Sequence, residues 1–195
     1  MTKAQRTRQL IIEKAAPIIN KKGMAGTSIT DIMEATHLAK GGVYGNFESK
    51  DEISLEVFDY LRDARRKRID GVLAAQTTAK AKLFALLDVY GDVARHDSGG
   101  CPILNFGIEA DDTHPQMRQR VREAIRFAEN RFVKLIELGI SNKEFSKRFN
   151  AITFSIKAFA MLEGATFISR SMGNLQQMKV VIEILKEEVE ANVLK

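Results

Sequence analysis

Tryptophan is absent from the 195 residues, cysteine occurs once and proline three times. A lone Cys101 excludes an intrachain disulfide framework and fits a reducing compartment. With only Pro17, Pro102 and Pro115, and Asp70-Gly71 the sole Asn-Gly or Asp-Gly step, strand punctuation is nearly missing and a helical chain is expected. No charged-then-apolar leader opens the sequence, and no run approaches the ~20 apolar residues of a membrane span. The expected setting is the cytoplasm, with no membrane partner. Repeats and low-complexity tracts are also lacking. What is present is ordinary for a globular protein: 45% hydrophobic and 28% charged residues, enough for a real core.

The net charge is +5 and the pI about 9.3. Its distribution matters more. Lys3, Arg6, Arg8, Lys14, Lys21, Lys22, Lys40 and Lys50 face only Glu13, Asp31, Glu34 and Glu48 in residues 1–50. A local basic surface of this kind suits a phosphate backbone.

Helical periodicity runs through the chain, and about nine helices are expected. Leu10, Ile11, Ala15, Ile18 and Ile19 recur at helical spacing over 5–22, with Gly23 as the stop and Pro17 as an expected kink. Ser28-Ile29-Thr30-Asp31 resembles a capping box and opens a short second helix. Thr36-His37-Leu38-Ala39 reads as a tight turn, 40–46 as a third short helix and 50–70 as a longer fourth. Further helices are expected over 79–96, 102–111, 115–138, 150–171 and 175–193, the sixth and seventh opened by Pro102 and Pro115.

Two short helices joined by a four-residue turn have the geometry of a helix-turn-helix, with the first helix packed across them. Ile29, Ile32, Met33, Leu38, Val43 and Phe47 would face inward. Thr27, Ser28, Lys40, Gly41, Gly42, Tyr44, Asn46 and Lys50 are the candidate DNA-binding residues. Lys40 is suited to guanine and Asn46 to adenine, and glycines let a recognition helix lie close to the duplex. Thr27, Tyr44 and Lys50 suit phosphate.

The run Lys40-Gly41-Gly42-Val43-Tyr44-Gly45-Asn46-Phe47-Glu48-Ser49-Lys50-Asp51, after Thr27-Ser28, resembles the TetR family signature of a Lys-Gly-x-aliphatic-Tyr-x-x-Phe-x-Ser-Lys-acid segment. The resemblance covers about residues 5–60. His37 and Ala39 depart from the usual Gly and Ser of the turn, and Gly45-Asn46 from its bulkier residues. The resemblance implies an all-α protein. A three-helix DNA-binding domain (1–50) would precede a helical ligand-sensing and dimerisation domain (51–195). It also implies a repressor released from a two-fold symmetric double-stranded operator by a small-molecule inducer; no cofactor, metal or catalytic site is expected.

In the C-terminal region the eighth helix is apolar nearly all round, so both sides must be covered. Its small stripe and the 3-4 spacing of the ninth helix suggest a two-fold four-helix seam, as TetR-like proteins use. The expected interface is Ala151, Ser155, Ala158, Leu162 and Ala165 with Met178, Ile182, Leu185 and Val189. The alternative is intrachain core. A ligand cavity among helices five to eight would draw on Phe84, Leu87, Tyr90, Cys101, Asn105, Phe106, Glu109, Phe127, Phe159 and Glu163.

Two other function classes compete. A thiol-dependent helical enzyme could use Cys101 with His96 or His114, but no flanking signature accompanies them. The spacing of His96, Cys101, Asp111 and His114 matches no metal finger. An architectural DNA-binding protein without a ligand would not need the long apolar C-terminal region. Gly99-Gly100-Cys101-Pro102 places the thiol at a helix cap, where two readings are open: an inert, buried cysteine, as free cysteines most often are, or an accessible thiol open to electrophiles.

Overall fold

A computed structural model of the chain describes residues 1–95 and 99–194, apart from the side chains of Ala94 and Arg95. Among these residues there are nine helices: α1 Lys3–Gly26, α2 Ile29–Thr36, α3 Lys40–Tyr44, α4 Lys50–Ala74, α5 Ala79–Arg95, α6 Pro102–Ala110, α7 Pro115–Ser141, α8 Ala151–Met172 and α9 Gln176–Ala191. The described residues hold no strand beyond an isolated bridge between Phe145 and Val193.

Local sequence accounts for most boundaries. Thr2 and Gln5 form a capping box that opens α1. The α1 backbone stays helical through Pro17 and breaks at Gly23, at φ 81 and ψ 167. Ser28 and Asp31 form the expected reciprocal box at α2, and His37 ends that helix in the left-handed region at φ 57, ψ 28. Asn150 caps α8, and Gly173 closes it at φ 67. Two glycines lie inside helices, although glycine commonly marks a helix end. Gly71 lies inside α4, and Gly139 lies inside α7, where its missing Cβ makes room for the Phe145 ring.

The chain forms two compact units. Residues 1–65 with 102–122 make the first, and 66–101 with 123–195 the second. Residues 1–50 therefore fold together with the start of α4, with α6 and with the first turns of α7. In the first unit α1 packs on α2 and α6. Its core includes Ile11, Ile19, Ile32, Val43, Phe47 and Phe58, all nearly inaccessible, with Phe58 set 5.4 Å from Phe106.

In the second unit α8 packs on α9 and α5, and α5 packs on α9. A chain of rings fills it: Tyr90 meets Phe132 and Phe159, Phe132 meets Phe154, and Phe149 lies between Phe154 and Phe145. The segment between α7 and α8, residues 142–150, has a structural task. The Glu144 carboxylate accepts from the backbone N–H groups of Ala79 and Lys80 and so caps α5. Burial pushes the Glu144 carboxyl up, but those two N–H groups prevail and hold it below its usual range.

By length and composition alone α8 is apolar enough to cross a membrane, contrary to the expectation that no run comes close. Its backbone carries Lys157, Glu163 and Arg170, and one face is covered by α5 and α9.

Candidate nucleic-acid interface

The recognition segment is a five-residue helix held from behind. Val43 and Phe47 are fully buried beneath it. Arg8 of α1 fixes its far end: the guanidinium lies 4.0 Å over the Phe47 ring, donates to the Asn46 carbonyl, and pairs with Glu52 and Glu56 of α4. The Glu56 pair, against a desolvation cost and aided by Glu52, raises the Arg8 pKa further above its ordinary value. Arg8 in turn holds the Glu52 carboxyl below its usual range, with a further bond from the Glu48 N–H. Spacing alone offered no sign of this role, since Arg8 reads as one of several basic residues on the polar side of α1.

The eight candidate DNA-binding residues do not share one surface. Lys40, Gly41 and Tyr44 are exposed on α3, and the Lys40 ammonium sits 5.9 Å from the Tyr44 ring centre. Gly41 has open space where a Cβ would be, whereas Gly42 packs on Leu38. Ser28 is exposed, but its hydroxyl serves the α2 cap.

Three others turn inward. Thr27 is buried and its hydroxyl donates to the Gly23 carbonyl at 2.7 Å, the usual behaviour of a Thr that finds a nearby carbonyl. Asn46 donates from Nδ2 to the Gly42 carbonyl at 2.8 Å, one turn back. Lys50 donates to the carbonyls of Met24 and Thr27 at 2.8 and 2.9 Å, so its ammonium holds the α1–α2 turn. The outward side-chain chemistry of α3 is therefore Lys40 and Tyr44 on a surface otherwise of backbone.

The ten ligand-pocket candidates fall into both units. In the first, Phe106 is core against Phe58, Asn105 Nδ2 donates to the backbone and side-chain oxygens of Asn20, and Glu109 accepts from Met24 and Ala25 N–H. The hydrogen bonds tie Asn105 and Glu109 to α1 and the turn that follows it, and Phe106 packs on α4. In the second unit, Phe127 is 44% exposed between the guanidiniums of Arg66 and Arg131. Phe84 is half-buried under the ammonium groups of Lys80 and Lys186. Leu87, Tyr90, Cys101, Phe159 and Glu163 are buried. Desolvation outweighs the Asp70 partner and lowers the Arg131 pKa.

The Cys101 thiol is 1% exposed and donates to Glu163 Oε1 at 3.1 Å, which agrees with the buried reading and not with the accessible one. His114 Nδ1 accepts from Met117 N–H and caps α7; His96 lies outside the described residues. Among the described residues no group of three or more His, Cys, Asp or Glu could hold a metal ion.

The expected dimer stripe is mostly intrachain core. Ser155, Ala158, Leu162, Ala165, Met178, Leu185 and Val189 are each at most 3% exposed within one chain. Ala151 is half-buried, as is Ile182, which presses on Gly91 of α5. Small residues do allow close helix approach, but here it is the chain's own α5 and α9 that approach. The large residues are the ones left outside: Ile152, Ile156, Phe167, Ile168 and Met172 on α8, and Val180 and Ile184 on α9, are 43–65% exposed.

This architecture and sequence have known counterparts. The family model described as "Bacterial regulatory proteins, tetR family" matches residues 11–57, and "Tetracyclin repressor-like, C-terminal domain" matches 79–185. An uncharacterized HTH-type transcriptional regulator of Lactococcus lactis subsp. lactis is 27% identical over 189 residues, 94% of this chain and 93% of that protein. HTH-type transcriptional regulator TtgR of Pseudomonas putida is 37% identical over 60 residues, 31% of this chain and 29% of that protein. A TetR-family transcriptional regulator from Cytophaga hutchinsonii has a crystal structure that superposes with a TM-score of 0.94 at 38% identity, covering 100% of this chain and 98% of that one. A TetR regulator from Chloroflexus aurantiacus gives 0.93 at 36% identity, over 99% and 98% of the two chains. With both family domains matched in order and a relative of this identity aligned along its whole length, the chain belongs to the TetR family of DNA-binding transcriptional regulators.

Proposed function

We propose that the protein is a repressor that binds a two-fold symmetric operator as a homodimer and is released by a small apolar inducer. Residues 1–50 carry the DNA-reading elements, and 51–195 serve sensing and dimerisation. The observation that carries this reading is the apolar face left open on α8 and α9. Seven large hydrophobic side chains standing 43–65% exposed form a surface that water disfavours and that a second copy can cover. The covering residues are Ile152, Ile156, Phe167, Ile168 and Met172 with Val180 and Ile184, in place of the buried stripe inferred from sequence. A dimer meets half-sites about 34–36 Å apart, one helical turn of duplex.

On this reading Lys40 donates to a base edge, Tyr44 meets a phosphate, and Gly41 lets the α3 backbone approach the groove. An inducer held in the second unit beside Leu87, Tyr90 and Phe159 acts through α4, whose 25 residues span about 37 Å. It changes the separation of the two recognition helices and must favour the released state by several kcal/mol. The repressor role is supported by the tetracyclin-repressor-like C-terminal match.

The test is a gel shift and sedimentation with a duplex selected by the protein from a randomised pool. A dimer on one palindromic site is expected, with log K falling against log salt at a slope near about −5 if roughly six phosphates are neutralised. A monomer on DNA, or affinity that does not respond to salt, overturns the reading.

A further inference from the structure

The turn from α1 to α2 is gripped from two sides. Gly23 leaves the helix at a positive φ of 81°, and beyond it the N–H groups of Met24 and Ala25 each reach one oxygen of the Glu109 carboxylate on α6, both at 3.0 Å. The carbonyls of the same turn, from Met24 and Thr27, accept from Lys50 on α4. One helical turn earlier, Asn105 of α6 holds the buried Asn20 through its backbone and side-chain oxygens.

We infer that Glu109 is a positioning residue for DNA binding: its carboxylate sets the turn over residues 23–27 and thereby the placement of α2 and α3 on α1. Three considerations lead there. Backbone N–H groups that follow a break in a helix, as Met24 and Ala25 follow Gly23, start a new turn and need partners, and an ionised acceptor makes the stronger kind of bond. The pairing also demands glycine at 23. The φ is one that side chains rarely adopt, and a Cβ there would collide with the Glu109 carboxylate. Finally, α2 starts two residues after the turn, and α3 has no side-chain cap of its own. Arg8 holds the far end of α3, so the aim of its near end depends on how α2 is carried. Glu109 touches no DNA in this scheme, and the inference rests on DNA binding through α2 and α3.

The experiment uses full-length wild type, Glu109→Ala and Glu109→Gln. Binding is measured to a duplex selected by wild type from a randomised pool and to a scrambled duplex of equal length. For Glu109→Ala the preference for the selected duplex should fall about tenfold, while affinity for the scrambled duplex, set by charge, does not fall and rises slightly with the lost negative charge. Glu109→Gln keeps one acceptor and should fall between. A protein that has only lost active fraction weakens on both duplexes alike, which would count against positioning.

Amide hydrogen exchange reads the turn directly. Met24 and Ala25 should lose protection in Glu109→Ala while Ile11 and Ile32 keep theirs. Should Glu109→Ala fail to fold, Glu109→Gln carries both measurements. Wild-type preference, or unchanged exchange at Met24 and Ala25, overturns the inference. If wild type selects no duplex, the DNA-binding premise falls and takes the positioning role with it; exchange still shows whether Glu109 holds the turn.

Discussion

In the first compact unit, charged and amide side chains reach to backbone atoms: Arg8 to Asn46, Lys50 to Met24 and Thr27, Glu109 to Met24 and Ala25, Asn105 to Asn20. The second is filled by rings and aliphatic chains, from Tyr90 through Phe132, Phe154 and Phe149 to Phe145. The two kinds of contact specify different things. A charge-assisted hydrogen bond contributes about 1.5–3 kcal/mol and has a direction, so it fixes an angle between helices. An aromatic pair adds about 0.5–1.5 kcal/mol to its burial and tolerates a range of angles, so it fixes volume more than orientation. The second unit has a directional contact of this kind where Glu144 caps α5, but in the first such contacts converge on α1, the turn after it and the end of α3.

The largest effect expected from breaking this contrast lies in the second unit. Ala158 and Leu185 are fully buried in a single chain. Ala158→Glu or Leu185→Lys should unfold that unit, because an unpaired charge in an apolar core costs several kcal/mol. Ile156→Glu with Ile168→Glu, on the open face, should instead leave helix content and melting nearly unchanged and give monomers that lose operator affinity. Circular dichroism with sedimentation separates the outcomes. Folded monomers from Leu185→Lys would return the interface to the buried stripe.

Arg8→Ala comes next. It removes the bonds to Asn46, Glu52 and Glu56 and the stacking on Phe47. About 2–3 kcal/mol should be lost in urea unfolding, with operator affinity lowered further because α3 loses its anchor. Arg8→Lys restores charge without the planar fork and should recover little. Full recovery would make charge alone the active property.

The two lysines once expected to share DNA contacts should then behave differently. Lys40→Ala should relax preference at one base position by about 1–3 kcal/mol without a change in unfolding. Lys50→Ala should lower stability through the α1–α2 turn and leave the salt slope unaltered. A slope smaller by about one unit for Lys50→Ala would instead show a lost phosphate contact.

Acid should loosen the first unit through the α2 cap. The ammonium of Lys22, the Ser28 N–H and the Ser28 hydroxyl hold Asp31 well below the usual carboxylate range. A depressed folded-state pKa gives stability that is complete above the unfolded value near 3.8 and lost as pH falls below it. Melting of wild type should therefore drop through that range, and Asp31→Asn should flatten the drop. Ser28→Ala should cost about 1 kcal/mol at neutral pH. An identical acid profile for Asp31→Asn would assign the loss to Glu52 or other carboxylates.

How far the sequence could be read follows the same division. Caps and turns depend on a few neighbouring residues, so Ser28 with Asp31, His37, Asn150 and the α3 motif were legible. Contacts between residues distant in sequence were not. Nothing near Glu109 indicates that Gly23 will present two N–H groups to it, and it read as a ligand-pocket residue instead. Lys50 and Thr27 fit a phosphate-binding pattern locally but are drawn inward by carbonyls that the fold brings near. In α8 the difficulty was different. A helix apolar on every side has no periodicity to distinguish its inner stripe from its outer one, and the rule that small residues mark close approach does not say whose helix approaches. The large residues of Ile156, Phe167 and Ile168 marked the open face.

The smallest effect is expected at Cys101, which bears on how rigid the ring-filled unit is. The thiol is 1% exposed and donates to Glu163 Oε1 at 3.1 Å. A serine hydroxyl can donate the same bond in nearly the same volume, so Cys101→Ser should change stability by no more than about 1 kcal/mol and leave operator affinity alone. Alkylation of the native protein should be slow and limited by opening, because reactive thiols are the partly exposed ones. Urea below the unfolding midpoint should accelerate it in proportion to the open population. The informative comparison is the labelling rate of folded wild type against that of the denatured chain. Rates that agree, together with loss of DNA on labelling that Cys101→Ser resists, would mean that this part of the second unit opens freely. Cys101 would then be a sensor of electrophiles and no longer a packed core thiol.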